Sequence, residues 1–136
     1  MNKTLLTAAK AITYLTVIFL LPFWFLAYFV PMAEMNITSI GLVPEATMEI
    51  VGLSNLRGSI GGLRLGIILL LFLGAFYKKP DLLLGGALVV AVVSLGRFIS
   101  LVADGWELIS FITATGEVMI VAGALYLKRS FKGGAY

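Results

Sequence analysis

The 136-residue chain is 60% hydrophobic and only 12% charged, with a mean hydropathy of +1.05. A soluble domain carries about 25% charged residues, so half that proportion cannot cover a water-facing surface, and the composition predicts an integral membrane protein. At ~20 apolar residues per span there is room for about four helices. Cysteine and histidine are both absent. That excludes disulfides, Cys/His zinc sites, thiolate and Ser-His-Asp catalysis, Fe–S clusters and His-ligated haem, and no metal or cofactor is expected.

No charged residue lies between Lys10 and Glu34. This run predicts a first spanning helix over about 9–30, retained rather than cleaved as a signal peptide, with a kink at Pro22. Seven of the 16 aromatics fall here, crowded towards Phe23–Phe29. They suit an interfacial belt or simple lipid-facing bulk equally. Residues 31–53 carry two prolines, two glycines and three glutamates. They read as a 23-residue extracytoplasmic loop, in which the Asn36-Ile37-Thr38 sequon is a weak chance match. A second helix is expected over about 54–77 with Ser54 as N-cap, ended by Lys78-Lys79-Pro80. The third, about 81–103, is capped by Asp81 and followed by the Asp104-Gly105 turn. The fourth, about 106–128, stops at Lys128-Arg129. The expected fold class is therefore all-α: one antiparallel four-transmembrane-helix bundle in a single domain, 1–136.

Four spans place both termini and the middle loop on one side. That side collects Lys3, Lys10, Lys78, Lys79, Lys128, Arg129 and Lys132, while the opposite loops carry Glu34, Glu45, Glu49, Asp104 and Glu107 without a lysine. The positive-inside rule orients both termini to the cytoplasm. The net charge of +3 is thereby a topology signal, and no nucleic-acid partner is implied.

Six charges lie in or beside helices two to four: Arg57, Arg64, Arg97, Asp104, Glu107 and Glu117. A charge near the bilayer centre costs at least ~2.5–3.5 kcal/mol and normally faces protein or water with a partner. Helical rise puts Glu117 roughly 16 Å deep, near the midplane. Arg57, Gly61, Arg64 and Ile68 share one stripe, Arg97 and Asp104 another flanked by Ser94 and Ser100, and Ser110, Thr113, Glu117, Val121 and Ala124 a third. Converging stripes would bring three arginines to three carboxylates. One reading is an outward-facing polar pocket for a lipid, quinone or other small anionic or amphipathic ligand. The other is a network that only sets helix register. Gly58, Gly62 and Gly66 recur every four residues and suit close helix packing, within the chain more than between copies.

The run Asn55-Leu56-Arg57-Gly58-Ser59-Ile60-Gly61-Gly62-Leu63-Arg64-Leu65-Gly66 resembles the second-helix signature of a bacterial four-helix membrane family of unknown function, a branch of the DoxX-like group. Gly96-Arg97-Phe98 through Asp104-Gly105 is similar to that family's third-helix signature, and Glu117 falls where its fourth helix carries an acid. The resemblance spans about residues 8–129. It implies the four-helix fold, the bacterial inner membrane, and a polar set of Arg57, Arg64, Arg97, Asp104 and Glu117. The wider group includes subunits of quinone-linked sulfur oxidation and assembly factors, but no reaction follows for this chain. The expectation is a non-enzymatic accessory subunit or ligand-binding module. Its partners would be the bilayer, a bound lipid or quinone, or a larger membrane complex. A proton-linked transporter using Glu117 and an enzyme acting on a lipid-soluble substrate are the alternatives.

Overall fold

The computed structural model describes residues 3–29, 60–103, 105–106 and 108–133. Helix α1 runs Lys3–Phe29, α2 Gly62–Phe76, α3 Pro80–Ala103 and α4 Leu108–Lys132. The expected loop at 31–53 and the Ser54 cap lie outside the described residues. The chain is all-helical, and three of its helices are long and apolar enough to cross a membrane: Lys3–Leu26, Pro80–Ala103 and Ser110–Lys132. The described part of α2 is a shorter apolar helix of 15 residues. Each helix packs on its neighbours in chain order, and α4 closes back on α1.

The outer helices extend beyond their expected limits. Helix α1 starts at Lys3, six residues early, because lysines near a helix end can lay their stems on apolar surface while the ammonium reaches out. It continues through Pro22 without ending there. Helix α4 runs past Lys128-Arg129 to Lys132, with Arg129 and Lys132 in its last turn, where cations favour the negative end of the helix dipole. Its end is also anchored by packing, since Ser130 and Phe131 are buried.

The α2–α3 turn shows why the chain reverses at Lys78. The Tyr77 N–H donates to Leu73 O and the Lys79 N–H to Gly74 O, both at 2.9 Å. Lys78 between them has φ 53°, so the helix closes in a Schellman motif with a lysine where glycine is usual. Lys78→Gly should therefore raise stability by about 0.5–1 kcal/mol, read as a higher thermal midpoint in a fixed detergent. The expected cap at Asp81 is corrected. Helix α3 starts at Pro80, whose fixed φ and missing N–H suit the first helical position, and the Leu83 N–H donates to Lys79 O at 3.3 Å. Asp81 stands instead in the first turn, near the positive dipole end. At the next reversal Gly105 has φ 121°, a conformation that L side chains rarely adopt.

The buried core is concentrated towards the end that holds this turn. Leu71, Leu83, Ala124 and Leu127 are fully buried there, joined by Ala9, Ala75, Ala87 and Phe131. Two glycines permit the close approach. A Cβ on Gly74 would lie 2.9 Å from the backbone N of Leu83, and one on Gly86 would lie 2.8 Å from Leu71 Cδ2. The packing role expected for the Gly58-Gly62-Gly66 repeat is not met at Gly66, where an added Cβ would find nothing within 4 Å. Gly58 lies outside the described residues. Gly96 and Gly116 are equally open. Helix α2 meets its neighbour closely at its far end, at Gly74, two four-residue steps past Gly66.

Much of the outer surface is apolar. Leu15, Phe19, Val92, Val102 and Ile112 are all exposed, far beyond the apolar patches tolerated on a water-soluble monomer. Aromatic contacts gather at both ends. Trp24 stands 5.9 Å from Tyr28 and Phe25 4.9 Å from Phe29, with Trp106 4.8 Å from Phe111, while Phe76 and Tyr77 meet at 5.0 Å beside the α2–α3 turn.

Candidate functional site

Of the six singled-out charges, Arg57, Asp104 and Glu107 lie outside the described residues. The remaining three divide between two places. Arg97 and Glu117 meet across α3 and α4, with Arg97 Nε donating to Glu117 Oε1 at 2.9 Å. Arg64 turns to α1: its Nη1 donates to Phe23 O at 3.3 Å, and its guanidinium carbon sits 5.7 Å from the Phe23 ring centroid. A cation over an aromatic face is favourable, and more so where water is scarce.

A second contact crosses the α3–α4 pair at the same level, because the two helices run in opposite directions. Ser94 and Ala114 precede Arg97 and Glu117 by three residues each, and the buried Ser94 Oγ donates to Ala114 O at 3.2 Å. Ala114 has no exposed surface, so the two backbones approach closely and fix the level at which the arginine faces the acid. Thr115 returns its hydroxyl to Phe111 O at 2.8 Å and takes no part.

The two partners are unequally exposed. The Glu117 side chain is 14% exposed and that of Arg97 44%. Glu117 Oε2 is buried and has no hydrogen-bond partner among the described residues. A guanidinium carries five N–H donors, and Glu117 engages the one on Nε. The Nη edge of Arg97 meets no partner among the described residues. The pair is thus closed on its inner side and open on its outer side.

Beside it, between α3 and α4, lies an open groove of about 230 Å³ lined by Ala91, Ser94, Leu95, Phe98, Val118 and Val121. Its lining is almost wholly apolar. Arg97 and Glu117 directly precede Phe98 and Val118, so the ion pair borders the groove at the end nearer Ala103. No group of three or more potential metal ligands occurs among the described residues.

The sequence stripes placed Arg97 and Glu117 on facing sides of their helices. They did not separate Arg64 from that pair. Trp24 was also missed as more than a belt aromatic: its Nε1 is buried without a partner among the described residues. The available signal was spacing, since Ala9, Thr13, Val17, Leu20 and Trp24 form a helical face that packs inward. Thr13 and Thr16 are buried there because their hydroxyls donate to Ala9 O at 2.9 Å and Ile12 O at 2.8 Å. Comparison with known proteins finds no matching family model, no matching curated protein and no matching solved structure.

Proposed function

We propose that this chain is a small, non-enzymatic multi-pass protein of the bacterial inner membrane, a ligand-binding module or accessory subunit, with both termini in the cytoplasm. Its two signature runs resemble the DoxX-like group, which accords with four spans and with the basic residues on one side. The ligand site is centred on Arg97, oriented by Glu117. One observation carries this reading: an arginine inside an apolar helix stays 44% exposed while one of its donor groups is engaged. An intramembrane arginine without a use for its remaining donors would be costly, and its planar fork suits carboxylate, phosphate and quinone oxygens.

The test is the small-molecule content of the purified protein. Solvent extraction and mass spectrometry should recover an amphipathic compound from wild type in near-stoichiometric amount, and at least ten-fold less from Arg97→Gln. Equal recovery from both, or none from wild type, overturns the proposal.

The orphaned Glu117 Oε2 favours a second reading, a proton-linked transporter. Against it stands the core beyond Glu117, where Leu71, Leu83 and Leu127 are fully buried and the buried Thr13 and Thr16 hydroxyls are engaged by Ala9 O and Ile12 O. Proton flux into liposomes that vanishes in Glu117→Gln would establish this second reading, and no flux from wild type ends it.

A further inference from the structure

We propose that the ligand is a membrane phospholipid whose phosphate accepts from the Nη edge of Arg97 and whose acyl chain lies in the α3–α4 groove. This rests on the reading of Arg97 as the centre of a ligand site and adds what binds there and where its tail runs.

Position supports it first. Arg97 is six residues from the end of α3 at Ala103, roughly 9 Å by helical rise, within the range from which a long arginine stem reaches a headgroup. Direction comes second. From Arg97 the groove runs towards Ala91 and Val121, away from the Ala103 end and towards the middle of the bundle. A lipid held by its phosphate at Arg97 therefore directs its tail along the lining instead of across it. The α3 side of the groove, Ala91 to Phe98, extends roughly 10 Å by the same rise.

Charge complementarity is the third support. Glu117 occupies the Nε edge and is itself largely shielded, so it fixes the plane of the guanidinium and leaves the other edge directed outward. Two parallel N–H groups matched to two phosphate oxygens form a bidentate contact, which a single-point donor cannot supply. The groove offers nothing polar to a water-soluble anion, because Leu95, Phe98, Val118 and Val121 would lie against it. An apolar tail joined to a phosphate satisfies both surfaces at once.

The experiment uses the full chain in detergent, titrated with a synthetic phosphatidylglycerol or with a diacylglycerol of the same acyl chains, and read by native mass spectrometry. Wild type should retain the phospholipid at least ten-fold better than the diacylglycerol. Arg97→Gln should lose that preference. Ala91→Phe, which fills the groove and leaves the ion pair in place, should cut phospholipid retention about ten-fold, with helix content and thermal midpoint checked in parallel. Val118→Trp repeats the groove test from α4 should Ala91→Phe fail to fold. Sensitivity to Arg97→Gln with full retention in both groove variants would overturn the inference and spare the ligand site itself. Indifference to all three variants overturns both. Retention of diacylglycerol equal to phosphatidylglycerol removes the phosphate from the proposal. A change from dimer to monomer in Ala91→Phe would assign the groove to a second copy and likewise overturn it.

Discussion

Arg97→Ala should destabilise the bundle by about 3 kcal/mol, whereas Glu117→Gln should cost under about 1 kcal/mol, although the two residues form one ion pair. The asymmetry follows from exposure. Removing Arg97 leaves a carboxylate that is 14% exposed, with one oxygen already unpartnered and the other newly so. Breaking a buried pair from the side that strands a charge is the expensive direction, typically about 3–5 kcal/mol. Removing the charge of Glu117 leaves a guanidinium that is 44% exposed and free to reach water or a headgroup, so little is stranded. The double variant Arg97→Leu with Glu117→Leu should recover most of the loss, because similar-sized apolar side chains can replace an ion pair at little cost. Thermal or denaturant unfolding in one detergent, followed by circular dichroism, measures all three. Equal costs for the two single changes would show that Glu117 is hydrated and that the inner side of the pair is open.

Gly86→Ala should cost about 1–3 kcal/mol, and Gly74→Ala should fall at the upper end of that range. The difference lies in what the added methyl meets. At Gly86 the nearest atom is Leu71 Cδ2 at 2.8 Å, the tip of a side chain that is itself fully buried and has little room to turn. At Gly74 the obstacle includes the backbone nitrogen of Leu83 at 2.9 Å, which moves only if α3 moves. Opposite behaviour is expected of Gly66, Gly96 and Gly116, where an added Cβ meets nothing within 4 Å. Alanine there should stabilise by about 0.5–1 kcal/mol through the lower backbone entropy of the unfolded chain. The contrast is read from the same unfolding curves. A large loss at Gly66 or Gly96 would show that another chain packs on that face.

The sequence order of the helices was legible because hydrophobic periodicity and charge-free length are properties of each segment alone. The turns were legible for a similar reason, with Lys78-Lys79-Pro80 and Gly105 restricting local backbone geometry whatever surrounds them. Helix limits were less so. Lys128-Arg129 look like terminators by charge, yet α4 runs on to Lys132 because cations favour the C-terminal end of the dipole and Ser130 and Phe131 are buried. The polar stripes marked the inward side only in part: Ile68, Ser94 and Ala124 are buried, while Arg97, Ser100 and Thr113 are exposed. They said nothing of which neighbour lies there, so Arg64 was grouped with Arg97 and Glu117 although it bonds to α1 through Phe23 O. The repeat at Gly58, Gly62 and Gly66 drew attention by its spacing, while Gly74 and Gly86 make the close approach by lying opposite leucines on a packed partner.

The low charge content carries the expectation of a membrane protein, which three long apolar helices are consistent with, and the placement of seven basic residues carries the expected orientation. Both are sums over local preferences for water or hydrocarbon, and such sums need no knowledge of which segments touch. The meeting of Arg97 with Glu117 and of Arg64 with Phe23, and the shielding of the acid beside an open arginine, come from how the helices pack. Pairing depends on the register between helices, which depends on where small residues let backbones approach: Gly74 against Leu83, Gly86 against Leu71, Ala114 against Ser94. Those contacts join residues of different helices, and a shift of α3 by a single turn would rearrange them all without changing any periodicity in the sequence.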